Sequence, residues 1–247
     1  MKTISDIFSK FLKYKKNDVK KATYDKYDFI IFLFEDSLNN YSHIYLDEDE
    51  QAIFERKYDQ ENKEFCEIFG IDKISSTDIE QFMEYFLIRK VIGDKETIKY
   101  SGTVLRQLLK WLKNNSYIDN NYYDEFISIV NRLKGELSNA LDVADILSEK
   151  VMDRKMSSNI LHFGMDNGNR NDEYEETKEA IFSITEIKKG KLWLIDYSDP
   201  SEIFGPVIVP EEVSAMAKEG WKLYLVIGKK NNKWHILESG NVYPGYQ

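Results

Sequence analysis

The side chains best suited to nucleophilic or metal chemistry are three histidines and one cysteine. His43, His162 and His235 are scattered along the chain, and none belongs to a set of ligands with the spacing of a metal site. Cys66 is the single cysteine, so an intramolecular disulfide and a cysteine-based zinc site are excluded. We therefore expect a buried, inert Cys66, no metal, no cofactor and no enzymatic activity.

Cationic side chains, in contrast, share one face of a predicted helix. The residues from about 96 to 113 have a helical period of apolar positions, among them Leu105 and Leu112. On the other side of this helix, four cations follow at offsets of 0, 7, 11 and 14 residues, within a sector of about 60°. These are Lys99, Arg106, Lys110 and Lys113, and phosphate binding is the chemistry they could perform. The alternative is an ordinary solvated face.

The charge of the chain is unevenly distributed. The net charge of -9 argues against a nucleic-acid partner, because phosphate binding depends on clustered Lys and Arg. However, residues 1–30 and 81–120 have an excess of basic groups, whereas residues 31–80 and 121–180 have an excess of acidic groups. A local basic surface is therefore compatible with an acidic protein, and Lys20, Lys21 and Lys26 could extend it.

Helical patterns precede the basic face. Two apolar stripes, from Ile4 to Leu12 and from Tyr24 to Tyr41, predict the first two helices. The acidic run at 47–50 predicts the start of a third helix, which we expect to continue to Gly70. Thr77 and Glu80 form a capping-box pattern, which predicts a helix that begins with Thr77 as its N-cap.

A heptad pattern follows, with apolar residues spaced alternately by four and three. It predicts either a coiled-coil seam that joins two copies or the packing of a long helix or helical hairpin within one chain, because Gly135 and two small alanines interrupt it. The seam consists of Phe126, Val130, Leu133, Leu137, Ala140, Ala144, Leu147 and Val151.

The last third of the chain has short, β-branched runs. Turn-forming and charged residues at 161–179 predict a linker. After it, five strands with a helix after the third predict a small barrel, SH3-like or OB-like. The predicted fold class is therefore α+β with several domains: a helical bundle at 1–120, a helical or coiled-coil segment at 121–160, the linker, and a barrel at 180–247.

The stretch from Ile4 to about Ile118 resembles the SAM-like core-binding domain of the tyrosine recombinase and phage integrase family. The resemblance lies in the residues from Thr77 to Phe82, in Thr97-Ile98, and in the run from Leu105 to Leu112. It implies a helical SAM-like fold that clamps DNA. The family's catalytic residues have no counterpart, since neither His162 nor His235 begins a His-x-x-Arg motif, so the resemblance implies no cleavage activity.

These observations predict a non-catalytic DNA-binding or DNA-associated adaptor. The alternative is a protein-interaction scaffold that dimerises through the seam and binds a peptide with its barrel. Aromatic residues for such a barrel groove are Trp193, Trp221, Tyr224, Trp234 and Tyr243, although most of them would lie in the core of so small a barrel. With no apolar run long enough to span a bilayer and no signal-peptide pattern, we expect a cytoplasmic protein.

Overall fold

The computed structural model describes residues 2–90, 95–161 and 174–245. The chain forms two compact units, Met1–Gly135 and Glu136–Gln247. The described part of the first unit is helical, and the second combines helices with a five-stranded sheet. The predicted α+β class, with helices first and strands last, is confirmed. The division between the units falls inside one long helix, whereas the sequence placed a boundary near residue 120.

Successive amphipathic helices build the first unit around an aromatic core. Phe34 lies at its centre, with ring centroids 5.7 Å from Phe8 and 4.9 Å from Phe82. A π-helical turn, Phe82–Phe86, joins the fifth helix to the sixth. The helices are α1 (Ile4–Asp18), α2 (Lys21–Tyr41), α3 (Glu48–Glu61), α4 (Phe65–Ile68), α5 (Ser76–Gln81), α6 (Leu87–Lys90), α7 (Lys95–Asn114) and α8 (Asn120–Leu161).

Two predicted helix ends in this unit are wrong. The third helix ends at Glu61 because Asn62 adopts the left-handed conformation, with φ 53°, so α4 is a separate turn of helix. The N-cap of α5 is Ser75 and not Thr77. The capping is reciprocal: the Asp78 backbone N–H donates to the Ser75 hydroxyl, and the Asp78 carboxylate accepts from the Ser75 backbone N–H at 2.7 Å. The buried Asp78 also accepts from the Ser42 hydroxyl, which ties α5 to the end of α2.

The heptad pattern lies on α8, which is one continuous helix of 42 residues, so the hairpin alternative is wrong. Seven of the eight seam residues are buried within the single chain, and Ala144 is partly buried. In the second unit, Ala140, Val143, Leu147 and Val151 belong to the same apolar cluster as the strands. A dimer formed through this seam would therefore have to remove these side chains from the core.

The strands of the second unit close on themselves in the order β1-β2-β3-β5-β4. β3 and β5 pair in parallel, and the other pairs are antiparallel. A helix, α9 (Glu211–Met216), follows the third strand as predicted. The strands are β1 (Glu176–Lys188), β2 (Lys191–Asp196), β3 (Ile203–Ile208), β4 (Lys222–Lys230) and β5 (Lys233–Tyr243).

Turn chemistry fixes the two hairpins. Gly190 supplies a φ of 70° between β1 and β2, and Asn231 and Asn232 have φ of 53° and 58° between β4 and β5. β1 begins at Glu176, inside the segment predicted as a linker, and residues 162–173 of that segment lie outside the described residues. Within the described ranges, no helix combines the length and the apolar character that crossing a bilayer requires.

Candidate nucleic-acid interface

Aromatic contacts fix the rotation of α7 about its own axis. The Trp111 ring lies 5.6 Å from the Phe11 ring of α1, and the Tyr100 ring lies 6.2 Å from the Tyr27 ring of α2. Burial of the Tyr27 phenol, together with the nearby Tyr100, raises its pKa to about 12. Since Leu105, Leu108 and Leu112 are also buried, only the remaining side of α7 can face solvent.

The predicted cations lie on that remaining side. Arg106 is five residues from Trp111, which places it about 140° around the helix. Arg106 and Lys110 are exposed, whereas Lys99 and Lys113 are half-buried. Their positions span 14 residues, or about 21 Å along the axis at 1.5 Å per residue. The structure therefore brings together the four stripe residues that the helical period predicted.

The start of α8 lies beside this stripe and adds a cation that the sequence analysis missed. The Lys113 ammonium lies 4.2 Å from the centre of the Tyr123 ring. Lys134 donates to the Thr103 hydroxyl at 3.1 Å and packs on Gly102, where an added Cβ would lie only 2.9 Å from the Lys134 Cβ. Gly102 thus permits the close approach. We call the resulting surface the cationic face: Lys99, Arg106, Lys110, Lys113 and Lys134.

Acidic groups are scarce beside the cationic face. Glu96 is the single acidic residue of α7, and it forms an ion pair with Lys26. Among the residues that the structure describes, Arg106 and Lys110 form no ion pair. The side chains of α8 that follow Tyr123 on the same side at helical spacing, Ile127 and Asn131, are uncharged. Among the described residues, the charges of Arg106 and Lys110 are therefore not cancelled by a neighbouring carboxylate.

The three further lysines of the predicted surface do not all join it. The Lys26 ammonium lies 5.2 Å from the centre of the Tyr100 ring, so this residue borders α7, but it is engaged by Glu96. Lys21 is five positions before Lys26 and therefore about 140° away around α2. Lys20 is the N-cap residue of α2, and both Lys20 and Lys21 are exposed. Both lysines lie at the start of α2, and their part in DNA binding stays a prediction.

The residues considered for other chemistry lie apart from one another. Cys66 is buried, its thiol faces the Glu35 carbonyl oxygen at 3.8 Å, and burial raises its pKa well above the usual value. The His43 ring stacks on the Phe54 ring at 5.2 Å, with its Nδ1 buried. His162 lies outside the described residues. Within the described part of the chain, no three His, Cys, Asp or Glu side chains converge as metal ligands would.

The predicted aromatic groove of the barrel is divided between its inside and its outside. Trp221 and Trp234 are buried, and the Trp234 ring lies 5.3 Å from the ring of the core residue Phe204. Tyr224 is exposed on β4 at 38%. Most of the barrel aromatics are therefore in or near the core, and the exposed ones lie on its outer surface.

One ion pair at the end of β2 gives the barrel a predictable response to acid. Lys178 lies 2.9 Å from Asp196, and together with hydrogen bonds from Ser198 it lowers the pKa of Asp196 to about 2. Because the folded pKa is lower than the ordinary value near 3.8, this carboxylate stabilises the fold above pH 4 and loses that contribution as the pH falls towards 2. In an NMR titration of side-chain carboxyls, Asp196 should have its midpoint well below the ordinary aspartate value near 3.8. An ordinary midpoint would mean that the ion pair does not form in solution.

Comparison of the chain with family models, with curated proteins and with solved structures finds no match.

Proposed function

We propose that this chain is a non-catalytic adaptor that binds duplex DNA through the cationic face. One observation carries the proposal: Arg106 and Lys110 are exposed and form no ion pair among the described residues. They lie on the same side of α7 as Lys99 and Lys113. Rigid helices hold these side chains, since aromatic contacts fix α7 and Lys134 anchors α8 to it. Fixed cations with few acidic neighbours suit a polyanion better than they suit a small neutral ligand.

The dimensions of the face are consistent with a DNA backbone. Its length of about 21 Å corresponds to roughly six base pairs at 3.4 Å per step along one strand. Lysine and arginine contacts to phosphates fix position and supply affinity without reading sequence. We therefore expect binding to duplexes of different sequence with similar affinity.

The net charge of -9 does not cancel this attraction under ordinary conditions. Ions screen exposed charges beyond about 10 Å at 0.1 M salt. The phosphates in contact therefore sense the cationic face more strongly than they sense the acidic residues of 31–80. The acidic residues limit where DNA can bind. At very low salt, where screening is weaker, they make the affinity lower than the cationic face alone would give.

We also propose that residues 4–118 are related to the SAM-like core-binding domain of tyrosine recombinases. The order of α1, the long α2, the short α5 that contains Asp78 and Ile79, and α7 supports this relation. A 3-10 turn at Ser42–Tyr45 and α3 form most of an added segment between α2 and α5. For the second unit, the strand order and the position of α9 between β3 and β4 support the OB-like alternative over the SH3-like one.

The dependence of DNA binding on salt tests the proposal. We expect the affinity of the whole chain for a short fluorescent duplex, measured by anisotropy between about 50 and 200 mM salt, to fall steeply. Four or five phosphate contacts predict a slope of roughly -4 in a plot of log affinity against log salt concentration. Two duplexes of unrelated sequence serve as the comparison and should give the same slope. Absence of binding at the lowest salt concentration would refute the proposal.

The second candidate function is a protein-interaction scaffold whose barrel binds a peptide. A specific observation favours it: the described barrel has four large, exposed apolar side chains, Ile181, Tyr197, Ile203 and Tyr224. Dimerisation through the α8 seam is not part of this candidate, because the seam side chains are buried within one chain.

A further inference from the structure

The exposed apolar side chains of the barrel are concentrated on one part of its outer surface. Among the described residues of the barrel, the large apolar side chains with more than a third of their surface exposed are Ile181 at 42%, Tyr197 at 51%, Ile203 at 65% and Tyr224 at 38%. Single exposed apolar residues are ordinary on protein surfaces, but a contiguous group of them marks an interaction site.

Strand register shows that this group is contiguous. Ile181 of β1 is directly paired with Tyr224 of β4, and the Tyr197 backbone N–H donates to the Ile181 carbonyl oxygen at 2.8 Å. Two residues before Tyr197, the half-buried Ile195 pairs with Ile203 of β3. Paired residues share a face of the sheet, as do alternate residues of one strand. We call this surface the apolar band: Ile181, Ile195, Tyr197, Ile203 and Tyr224.

Both tyrosines of the apolar band are held in place. The Tyr224 ring lies against Gly240 of β5, where an added Cβ would come within 2.7 Å of its Cδ1, and its hydroxyl donates to Glu179. The Tyr197 ring covers the Lys222 ammonium, which lies 3.7 Å from the ring centre. Fixed aromatic rings lose little conformational entropy when a ligand binds, so they are suitable contact residues.

Exposed carboxylates surround the apolar band. Asp199 and Glu202 lie in the loop between Tyr197 and Ile203, and Glu179 lies beside Tyr224. Glu238 of β5 is also exposed and close enough to Tyr224 to raise the pKa of its phenol, after the larger effect of Glu179. Two lysines lie beside the band: Lys222 is buried beneath Tyr197, and Lys178 is engaged by the Asp196 carboxylate. The rim that a partner would meet is therefore acidic.

We propose that the apolar band is a docking surface for a basic peptide segment of a partner protein, in which apolar side chains alternate with Lys or Arg. The acidic rim favours a partner with basic residues, because opposite charges attract. The apolar band favours a partner with apolar side chains between those basic residues. Along β1 and β4 the peptide is bound through side chains and not as an added strand, since each of these strands is paired on both sides. This proposal is independent of DNA binding by the first unit.

A titration of the full chain with a short synthetic peptide of alternating leucine and lysine tests it. A peptide with glutamate in place of each lysine is the comparison. The variant I203S removes the most exposed side chain of the band, and I44S is the matched control, because Ile44 in the first unit is also 65% exposed and also lies close in sequence to acidic residues. We expect I203S to weaken binding of the lysine peptide by about tenfold and I44S to leave it unchanged.

Other outcomes would overturn the proposal. Equal effects of I203S and I44S, or none from either, would show that the peptide binds the acidic chain without using the band. Equal binding of the lysine and glutamate peptides would refute a basic partner. If sedimentation shows that the chain self-associates and that I203S abolishes this, the occupant is a second copy and not a partner peptide.

Discussion

Replacement of Leu147 by alanine should lower the free energy of unfolding of the second unit by about 3 kcal/mol and leave the oligomeric state unchanged. Leu147 is 1% exposed and packs in one cluster with Val143, Val151 and the strands. The shorter side chain would lose apolar burial and leave a cavity between α8 and the barrel. Urea unfolding followed by tryptophan fluorescence is the measurement, because three of the four tryptophans are in this unit.

The neighbouring substitution Ser148→Ala is the matched control, since Ser148 is exposed on the same helix. It should change the unfolding free energy by less than about 0.5 kcal/mol. If the heptad pattern were instead a dimer interface, Leu147→Ala would turn a dimer into a monomer in sedimentation and make its apparent stability depend on protein concentration. That result would contradict the packing of α8 within one chain.

Reversal of charge at the two exposed cations of the cationic face, as R106E/K110E, should weaken duplex DNA binding by about a hundredfold. Each phosphate contact that is lost is worth on the order of 1.4 kcal/mol. The slope of log affinity against log salt concentration should also become shallower by roughly two. Both side chains are exposed, so the fold should be retained.

The control for this variant is K20E/K21E, which changes the net charge of the same unit by the same amount. Lys20 and Lys21 are exposed at the start of α2, and Lys21 lies about 140° around that helix from Lys26, which borders α7. We expect a loss of affinity of no more than about threefold, which reflects only long-range charge. Equal losses in the two variants would mean that DNA senses the overall charge and that no defined site exists.

Local patterns predicted the elements of this protein well. The helical period of residues 96–113 placed four cations on one side of α7, and burial of Leu105 and Leu112 confirms that orientation. The pair Asn231-Asn232 is a local signal of the last hairpin, because consecutive left-handed residues fit its tight turn. These features depend on residues close together in the chain.

Features that depend on distant residues could not be predicted. The heptad pattern identified which residues of α8 are buried, but not that Leu147 packs on strands far along the chain. Lys134 joins the cationic face through Thr103, 31 residues earlier, and only the small Gly102 at the crossing hinted at a close helix contact. Similarly, the parallel pairing of β3 with β5 depends on the closure of the whole sheet.

Mapping of the DNA-binding surface by NMR tests the central claim most directly. In a titration of the isotope-labelled full chain with a short duplex, we expect the amide shifts of Arg106, Lys110 and Lys134 to change together and to saturate. Amides of the barrel and of the start of α2 should change little. Shifts confined to the barrel, or the absence of any saturable change at low salt, would contradict the assignment of the cationic face as a DNA-binding surface.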